Sequence, residues 1–487
     1  MHLTLIKTKI LVLAVLLFCA TAKNVEGKDT ARPKGKPNVL FIVSDDHGWG
    51  DLPSNWNKTE VRLPTLDALA AKGVRFPNYH TVPLCGPSRA CMFTGQYSTE
   101  NGMWRGPGKQ LLGSPGYRGI KRDVKMLSEH LSEAGYKTGA FGKWHLGALD
   151  GEVPNDRGFD EFHGFLAGAH SYWITEKRSR IMHNRKPDPM SKGHATELFT
   201  SWAEQFIREN AAKDASFFCY LAYNAVHGPL RTDKSKPPSA PQAWVKKALD
   251  RGVSFLRSDY VAILEHMDHH IGRILGALEK SNKINDTVLV FLSDNGASAE
   301  ALDTWPNPSR GHKPSSETGT RESHRCIEVG WSNAANTPFR EHKMWVHEGG
   351  SATPLIAHWP KGIRARGQWT DAVGHVMDFA PTFLELAGAK YPVKSHQTKL
   401  LPLAGRSLVP AFQGRRLDTR TLAWEHEGNR AIREGKWKLV AKGSKGAWEL
   451  YDLEADRTEL NDLAAKDPDR AKAMADRWEA WATEAKA

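Results

Sequence analysis

Two unbroken apolar runs constrain this chain more than any other feature: Asn38-Val39-Leu40-Phe41-Ile42-Val43-Ser44 and Thr287-Val288-Leu289-Val290-Phe291-Leu292-Ser293. A strand with one wet face alternates apolar and polar residues. A run without alternation suits a strand covered on both faces, as in parallel sheets flanked by helices. Tyr136 to Phe141 and Phe217 to Tyr223 read as further strands of the same kind. Between them lie helical patterns at Pro64 to Phe76, with Pro64 near the start and Gly73 near the end, at Asp123 to Gly135, and at Asp259 to Ser281. Strands alternating with helices predict an α/β fold: a large domain with a mostly parallel central sheet flanked by helices.

Beyond a helical stretch at Asp378 to Gly388 and a boundary from Tyr391 to Pro402, the pattern changes. Ala431 to Val440 and Trp448 to Leu453 read as strands and Asp467 to Ala485 as a closing amphipathic helix, so a small α+β C-terminal subdomain is expected. At 487 residues the chain exceeds the size at which a single core stops growing, about 250–300 residues. Lys7 and Lys9 precede the apolar run Ile10 to Ala20 and the small residues Ala20-Thr21-Ala22. That order reads as a secretory signal peptide at 1–22. The run is too short to span a membrane, which takes about 20 apolar residues. The expected organisation is signal peptide 1–22, polar linker 23–37, large α/β domain 38–390 and C-terminal α+β subdomain 391–487. The protein is expected to be exported, to the periplasm or outside the cell, without stable membrane insertion.

Removing residues 1–22 lowers the formal net charge of +12 by two. The remaining excess is dispersed, which fits plain solubility as well as acidic partners. No nucleic-acid motif occurs. Cys85, Cys91, Cys219 and Cys326 are too few for a disulfide-built scaffold, and the last three read as buried thiols.

Both apolar runs end in pairs of oxygen donors, Asp45-Asp46 and Asp294-Asn295. In open α/β sheets ligands gather beyond the carboxyl ends of the strands, so the pairs can converge. Three carboxylates and an amide form a hard site suited to Ca²⁺ or Mg²⁺ rather than Zn²⁺. Acidic residues after strands also serve as caps and turn formers, so one pair alone decides little. Cys85-Gly86-Pro87-Ser88-Arg89 places a cysteine just before a helix, with Arg89 four residues on and on the same face. A buried cysteine with Arg89 at the surface is the plainer reading of those residues. Lys143 and His145, at i and i+2 in an extended segment, point the same way. His227 follows an apolar strand and so reaches the same crevice, although it is one of 21 histidines.

Taken together these stretches resemble the type I sulfatases, the formylglycine-dependent arylsulfatase family of the alkaline phosphatase superfamily. The resemblance is carried by Leu84-CGPSRACMFTGQY, by the metal motifs with His47-Gly48-Trp49-Gly50-Asp51, and by Gly135-YKTGAFGKWHLG. It extends through Lys343 before Glu348-Gly349-Gly350 to Gly435-Lys436-Trp437-Lys438-Leu439 and Leu450-Tyr451-Asp452-Leu453. It implies that a maturation enzyme oxidises Cys85 to Cα-formylglycine, whose hydrate attacks sulfate esters. It also implies a metal site of Asp45, Asp46, residue 85, Asp294 and Asn295, filled by Ca²⁺ in preference to Mg²⁺. Lys143 and Lys343 would bind the sulfate, Arg89 would support the diol, His227 would protonate the leaving group and His145 would take the final proton. Arg340 and His347 are left as substrate or structural contacts.

The implied activity is hydrolysis of sulfate monoesters, with a sulfated carbohydrate or small molecule as substrate. A phosphomonoester or phosphonate hydrolase of the same superfamily is the nearer alternative, and a non-catalytic binder of sulfated glycans the farther one. The Gly-, Ser-, Pro- and Asn-rich stretch from Ala297 to Thr337 shows little periodicity and is expected to form a long loop near the substrate.

Overall fold

The computed structural model describes residues 35–104, 119–175, 180–213, 215–228, 230, 237–299, 327, 329–392, 394–395, 398–399 and 401–485. The expected signal peptide and nearly all of the linker lie outside these residues, as do Cys326 and most of the 297–337 stretch. Lys36–Ala487 group as one compact unit.

A ten-stranded sheet forms its centre. The strands that matter for the site are β1 (Asn38–Ser44), β2 (Lys137–Lys143), β3 (Phe217–Ala222) and β4 (Thr287–Ser293). They lie side by side in the order β4-β1-β3-β2 and all run parallel. Glu161–Phe165 extends the parallel set beyond β2, while Leu355–His358 pairs antiparallel with β4. Every residue of β1 and β4 is buried, as an unbroken apolar run requires. Alternate side chains of β1 serve two different cores. Val39, Phe41 and Val43 join Met92, Phe93, Phe379 and Phe383 on one face. Leu40 and Ile42 join Ile263, Met267, Ile271 and Phe199 on the other.

The local signals set several element ends. Pro64–Lys72 is a helix with Pro64 in its first turn and Gly73 as its C-cap. The helix expected over Asp123 to Gly135 is shorter, Leu127–Glu133. Met126 stays extended, and the Glu129 carboxylate accepts from its backbone N–H at 2.8 Å, which fixes the first turn there. The long helix is Phe255–Lys280. The single strand expected over Ala431 to Val440 is in fact a hairpin, Asn429–Glu434 with Trp437–Ala441. Gly435, at φ +58°, supplies the left-handed residue that its two-residue turn needs. Within the stretch expected to be a loop, Val329–Ala335 is helical.

Asn429–Glu434 and Trp437–Ala441 belong to a four-stranded antiparallel sheet completed by Thr421–His426 and Glu449–Asp452. One face of it buries Ala423, Ile432, Leu439 and Leu450 against Met474, Trp478 and Ala482 of the closing helix Pro468–Ala485. The other face places Leu422, Trp424, Ala431, Val440 and Tyr451 in the same core as β1. No helix among the described residues is long and apolar enough to cross a membrane.

Phe41 lies at the centre of the larger core, with ring centroids 4.8 Å from Phe379, 5.3 Å from Phe383 and 5.8 Å from Tyr220. Phe41→Ala is expected to destabilise the protein by about 3–5 kcal/mol in denaturant unfolding. A loss below about 1 kcal/mol would contradict this packing.

Candidate active site

The parallel register assembles the site. Ser44 pairs with Ser293, so Asp45-Asp46 and Asp294-Asn295 emerge next to each other at the carboxyl edge. Asp46, at φ +64°, turns the chain so that its N–H meets Asp294 Oδ1 at 3.4 Å. Asn295 Nδ2 donates to Asp46 Oδ1 at 2.6 Å. His227 follows β3, and its Nε2 stands 3.9 Å from Asp46 Oδ2. The expected convergence of the two donor pairs is therefore present.

Cations enter from three other segments. Lys143, the last residue of β2, places Nζ 2.6 Å from Asp45 Oδ2. Lys343 reaches Asp46, with Nζ 3.0 Å from Oδ1 and 3.3 Å from Oδ2. Cys85 is the first residue of helix α1, Cys85–Thr94, rather than the residue before it. Arg89 follows one turn later and is wholly buried, which removes the reading that placed it at the surface. Its Nε donates to Asp294 Oδ2 at 2.8 Å, and its Nη1 to the Lys143 carbonyl and to Tyr220 Oη, both at 3.1 Å. Three carboxylates thus face three cations in a buried volume where none could stay charged alone.

His145 arrives differently from expectation. β2 ends at Lys143 and His145 sits at φ +58°, so the two residues do not share one extended face. The turn still leaves the imidazole in the field of Lys143, Arg89, His227 and Lys343. Gly168 makes room for it: a Cβ there would lie 2.6 Å from His145 Nε2.

Burial and neighbouring charge set the proton affinities. Burial holds the His145 imidazole well below its usual range, and the surrounding cations lower it further. Burial raises the Cys85 thiol, against the pull of Lys143 and Lys343, so the cysteine is no ready thiolate. Burial and Asp45 raise the Asp294 carboxyl, against Arg89, Lys143 and Lys343.

The site fits a hard cation. Asp45 Oδ1 and Asn295 Oδ1 are buried without a hydrogen-bond partner. The donor atoms of Asp45, Cys85 and Asp294 lie within 4.8 Å of one another, as do those of Asp45, Asp46 and His227. A separate cluster, Glu197, His266 and His270, sits between two outer helices. There Arg273 donates to His270 Nδ1 at 3.1 Å, which puts the neutral ring's proton on Nε2, the atom a metal would need.

Arg340 and His347, left as substrate or structural contacts, both lie against Glu449. Arg340 Nη2 binds Glu449 at 2.6 Å, and His347 Nε2 stands 3.5 Å from the same carboxylate. Tyr220 and Gly168 were not among the sequence candidates. Tyr220 lies in an apolar strand and reads as core, and Gly168 is one glycine among 42.

Comparison with known proteins accounts for this arrangement. The sulfatase family model matches residues 37–389. The chain belongs to the sulfatase family. Its last part, residues 340–482, matches the model described as N-sulphoglucosamine sulphohydrolase, C-terminal. An uncharacterized sulfatase of Schizosaccharomyces pombe is 31% identical over 91% of this chain and 93% of its own. The arylsulfatase of Klebsiella aerogenes is 28% identical over 82% of this chain and 98% of its own. Mouse (Mus musculus) N-acetylgalactosamine-6-sulfatase is also 28% identical, covering 85% of this chain and 74% of its own. The crystal structure of Ps i-CgsB in complex with k-i-k-neocarrahexaose superposes with a TM-score of 0.73 at 28% identity, covering 92% of this chain and 93% of that one. This sulfatase is therefore a hydrolase of sulfate esters, with the expected fold and the candidate site at the carboxyl edge of the sheet.

Tyr220→Phe keeps the ring that packs on Phe93 and removes an acceptor from Arg89. It is expected to lower stability by about 1–3 kcal/mol, since a buried charged donor loses a partner. An unchanged unfolding midpoint would show that Tyr220 does not hold Arg89.

Proposed function

We propose that this sulfatase removes sulfate from a sulfated carbohydrate, with residue 85 as Cα-formylglycine and a Ca²⁺ ion held by Asp45, Asp46, Asp294 and Asn295. One observation carries the reading: a buried thiol, raised in pKa, points into a shell of hard oxygen donors between the carboxylates and the cations. Sulfur is the odd donor there, and oxidation of Cys85 to an aldehyde makes the shell all oxygen. The aldehyde hydrate would supply a nucleophilic hydroxyl whose proton passes to Asp294, and the cation, once bound, would polarise that hydroxyl and the sulfate oxygens.

The chain's own residues do the rest. Lys143 and Lys343 stand where the dispersed charge of the sulfuryl oxygens develops and stabilise it without reorganisation. Arg89, fixed by Asp294, Tyr220 and the Lys143 carbonyl, braces residue 85 one helical turn away. His227 donates from Nδ1 to the Gly228 carbonyl at 2.7 Å, so only its imidazolium carries a proton on Nε2. That proton goes to the leaving alkoxide, and the ring keeps its Nδ1–H bond. His145, neutral in its cationic surroundings, accepts the proton given up when sulfate departs.

The relatives support the substrate class: one bears an amino-sugar sulfatase name and another is described in complex with a neocarrahexaose. Export of the chain through residues 1–22 would bring it to such a substrate. The reading keeps a linker at 23–37, the catalytic domain at 38–390 and the C-terminal subdomain at 391–487, and it needs a formylglycine-generating partner enzyme.

Release of sulfate from sulfated oligosaccharides and from 4-nitrophenyl sulfate is expected to exceed release of phosphate from 4-nitrophenyl phosphate. Cys85→Ala should fold and show no multiple turnover. Faster phosphate release, or sustained turnover by Cys85→Ala, would overturn the proposal. Chelation should lower both activity and the thermal midpoint, and Ca²⁺ should restore them better than Mg²⁺ or Zn²⁺. At a hundredfold excess over Kd the ion adds about 2.7 kcal/mol of stability. Recovery with Zn²⁺ alone would contradict the oxygen shell.

A further inference from the structure

The reaction leaves unused a second buried ionic cluster, centred on Glu348. This residue opens the short helix Glu348–Ser351, five residues after Lys343, and is fully buried. Its Oε1 accepts from Lys438 Nζ at 2.9 Å and lies 3.0 Å from His80 Nε2, which Arg433 Nη1 also approaches at 3.3 Å, and its Oε2 accepts from Arg457 Nε at 3.1 Å. Lys438 Nζ also lies 2.8 Å from Glu459 Oε1, and Glu459 Oε2 accepts the Glu348 backbone N–H at 2.8 Å. Burial alone would raise the Glu348 carboxyl, but Lys438, His80 and Arg457 hold it well below its usual range.

The members of this cluster come from three places. His80 precedes Cys85 by five residues on the strand Tyr79–His80. Glu348 follows Lys343, and Lys438 belongs to the C-terminal sheet. Backbone bonds repeat the pattern. Asn429 Nδ2 donates to the Met344 carbonyl at 3.1 Å and Trp424 Nε1 to the Thr81 carbonyl at 3.0 Å. The Met344 N–H reaches the Pro83 carbonyl at 2.8 Å, joining the two active-site segments to each other.

Docking of the C-terminal sheet does not need these charges, because its inner face already buries Leu422, Trp424, Ala431, Val440 and Tyr451. Buried ion pairs are poor sources of net stability compared with apolar packing, but they accept few geometries. A sulfate-binding lysine needs its supporting shell fixed to within about 0.5 Å. We propose that Lys438 is a positioning residue: through Glu348 it fixes the segment that holds Lys343, so that the C-terminal sheet sets the affinity of the active site for sulfate. This rests on the role given above to Lys343.

The test is the Kd of the metal-loaded, full-length protein for inorganic sulfate, the reaction product, measured calorimetrically on four proteins. Lys343→Ala is expected to weaken sulfate binding about tenfold or more. Lys438→Met should weaken it at least about fivefold, and the double variant should bind within about twofold of Lys343→Ala alone. If Lys438→Met lowers the thermal midpoint but leaves sulfate affinity unchanged, or if the two losses multiply, the positioning role is overturned while Lys343 keeps its own. If Lys343→Ala binds sulfate normally, the assignment of Lys343 itself fails. Should Lys438→Met not fold, Asn429→Asp removes the Met344 carbonyl's donor while keeping the Oδ1 that accepts the Gly443 N–H, and is expected to weaken sulfate about threefold. Unchanged affinity in that variant overturns the proposal.

Discussion

Asp45, Asp46 and Asp294 are buried beside one another, and the rest of the active site is arranged around compensating them. Isolated carboxylates in such a place would take up protons. Arg89, Lys143 and Lys343 oppose this by bonding or closely approaching a carboxylate. The parallel pairing of β4, β1, β3 and β2 brings the carboxylates and Lys143 to one edge, and Arg89 from helix α1 and Lys343 from a later segment complete the balance. The same arrangement leaves Asp45 Oδ1 and Asn295 Oδ1 buried without a hydrogen-bond partner. Charge compensation and catalytic layout are therefore one arrangement, and a substitution that disturbs one disturbs the other.

The C-terminal sheet extends that logic outward. Its outer face has a core of its own with the closing helix, while its inner face shares the core of the catalytic part. Glu348 and Lys438 add a directional link to the shared apolar contact, and Arg340 with Glu449 adds another. A unit that looks peripheral by sequence thus touches the segments on either side of residue 85 and Lys343.

Much of this was legible in the residues. The apolar runs predicted strands buried on both faces, and the pairs at their ends converge as expected because adjacent parallel strands end together. Contacts that depend on tertiary approach were not legible. Tyr220 reads as one more core aromatic until Arg89 is seen to reach it. The alternation rule misplaced His145, because the strand stops at Lys143 and a left-handed residue re-aims the ring. The hairpin at Gly435 read as one strand because its turn is only two residues long. Arg340 and His347 could not be assigned from sequence, since Glu449, which engages them, lies about a hundred residues away.

The central claim is chemical: Cys85 is the precursor of an aldehyde. The direct measurement is the mass of the tryptic peptide Phe76 to Arg89 from protein made in its native host. The account predicts the loss of mass that accompanies conversion of the thiol to an aldehyde, with no alkylation at residue 85. An intact, alkylatable Cys85 from a host that carries out this conversion would contradict it.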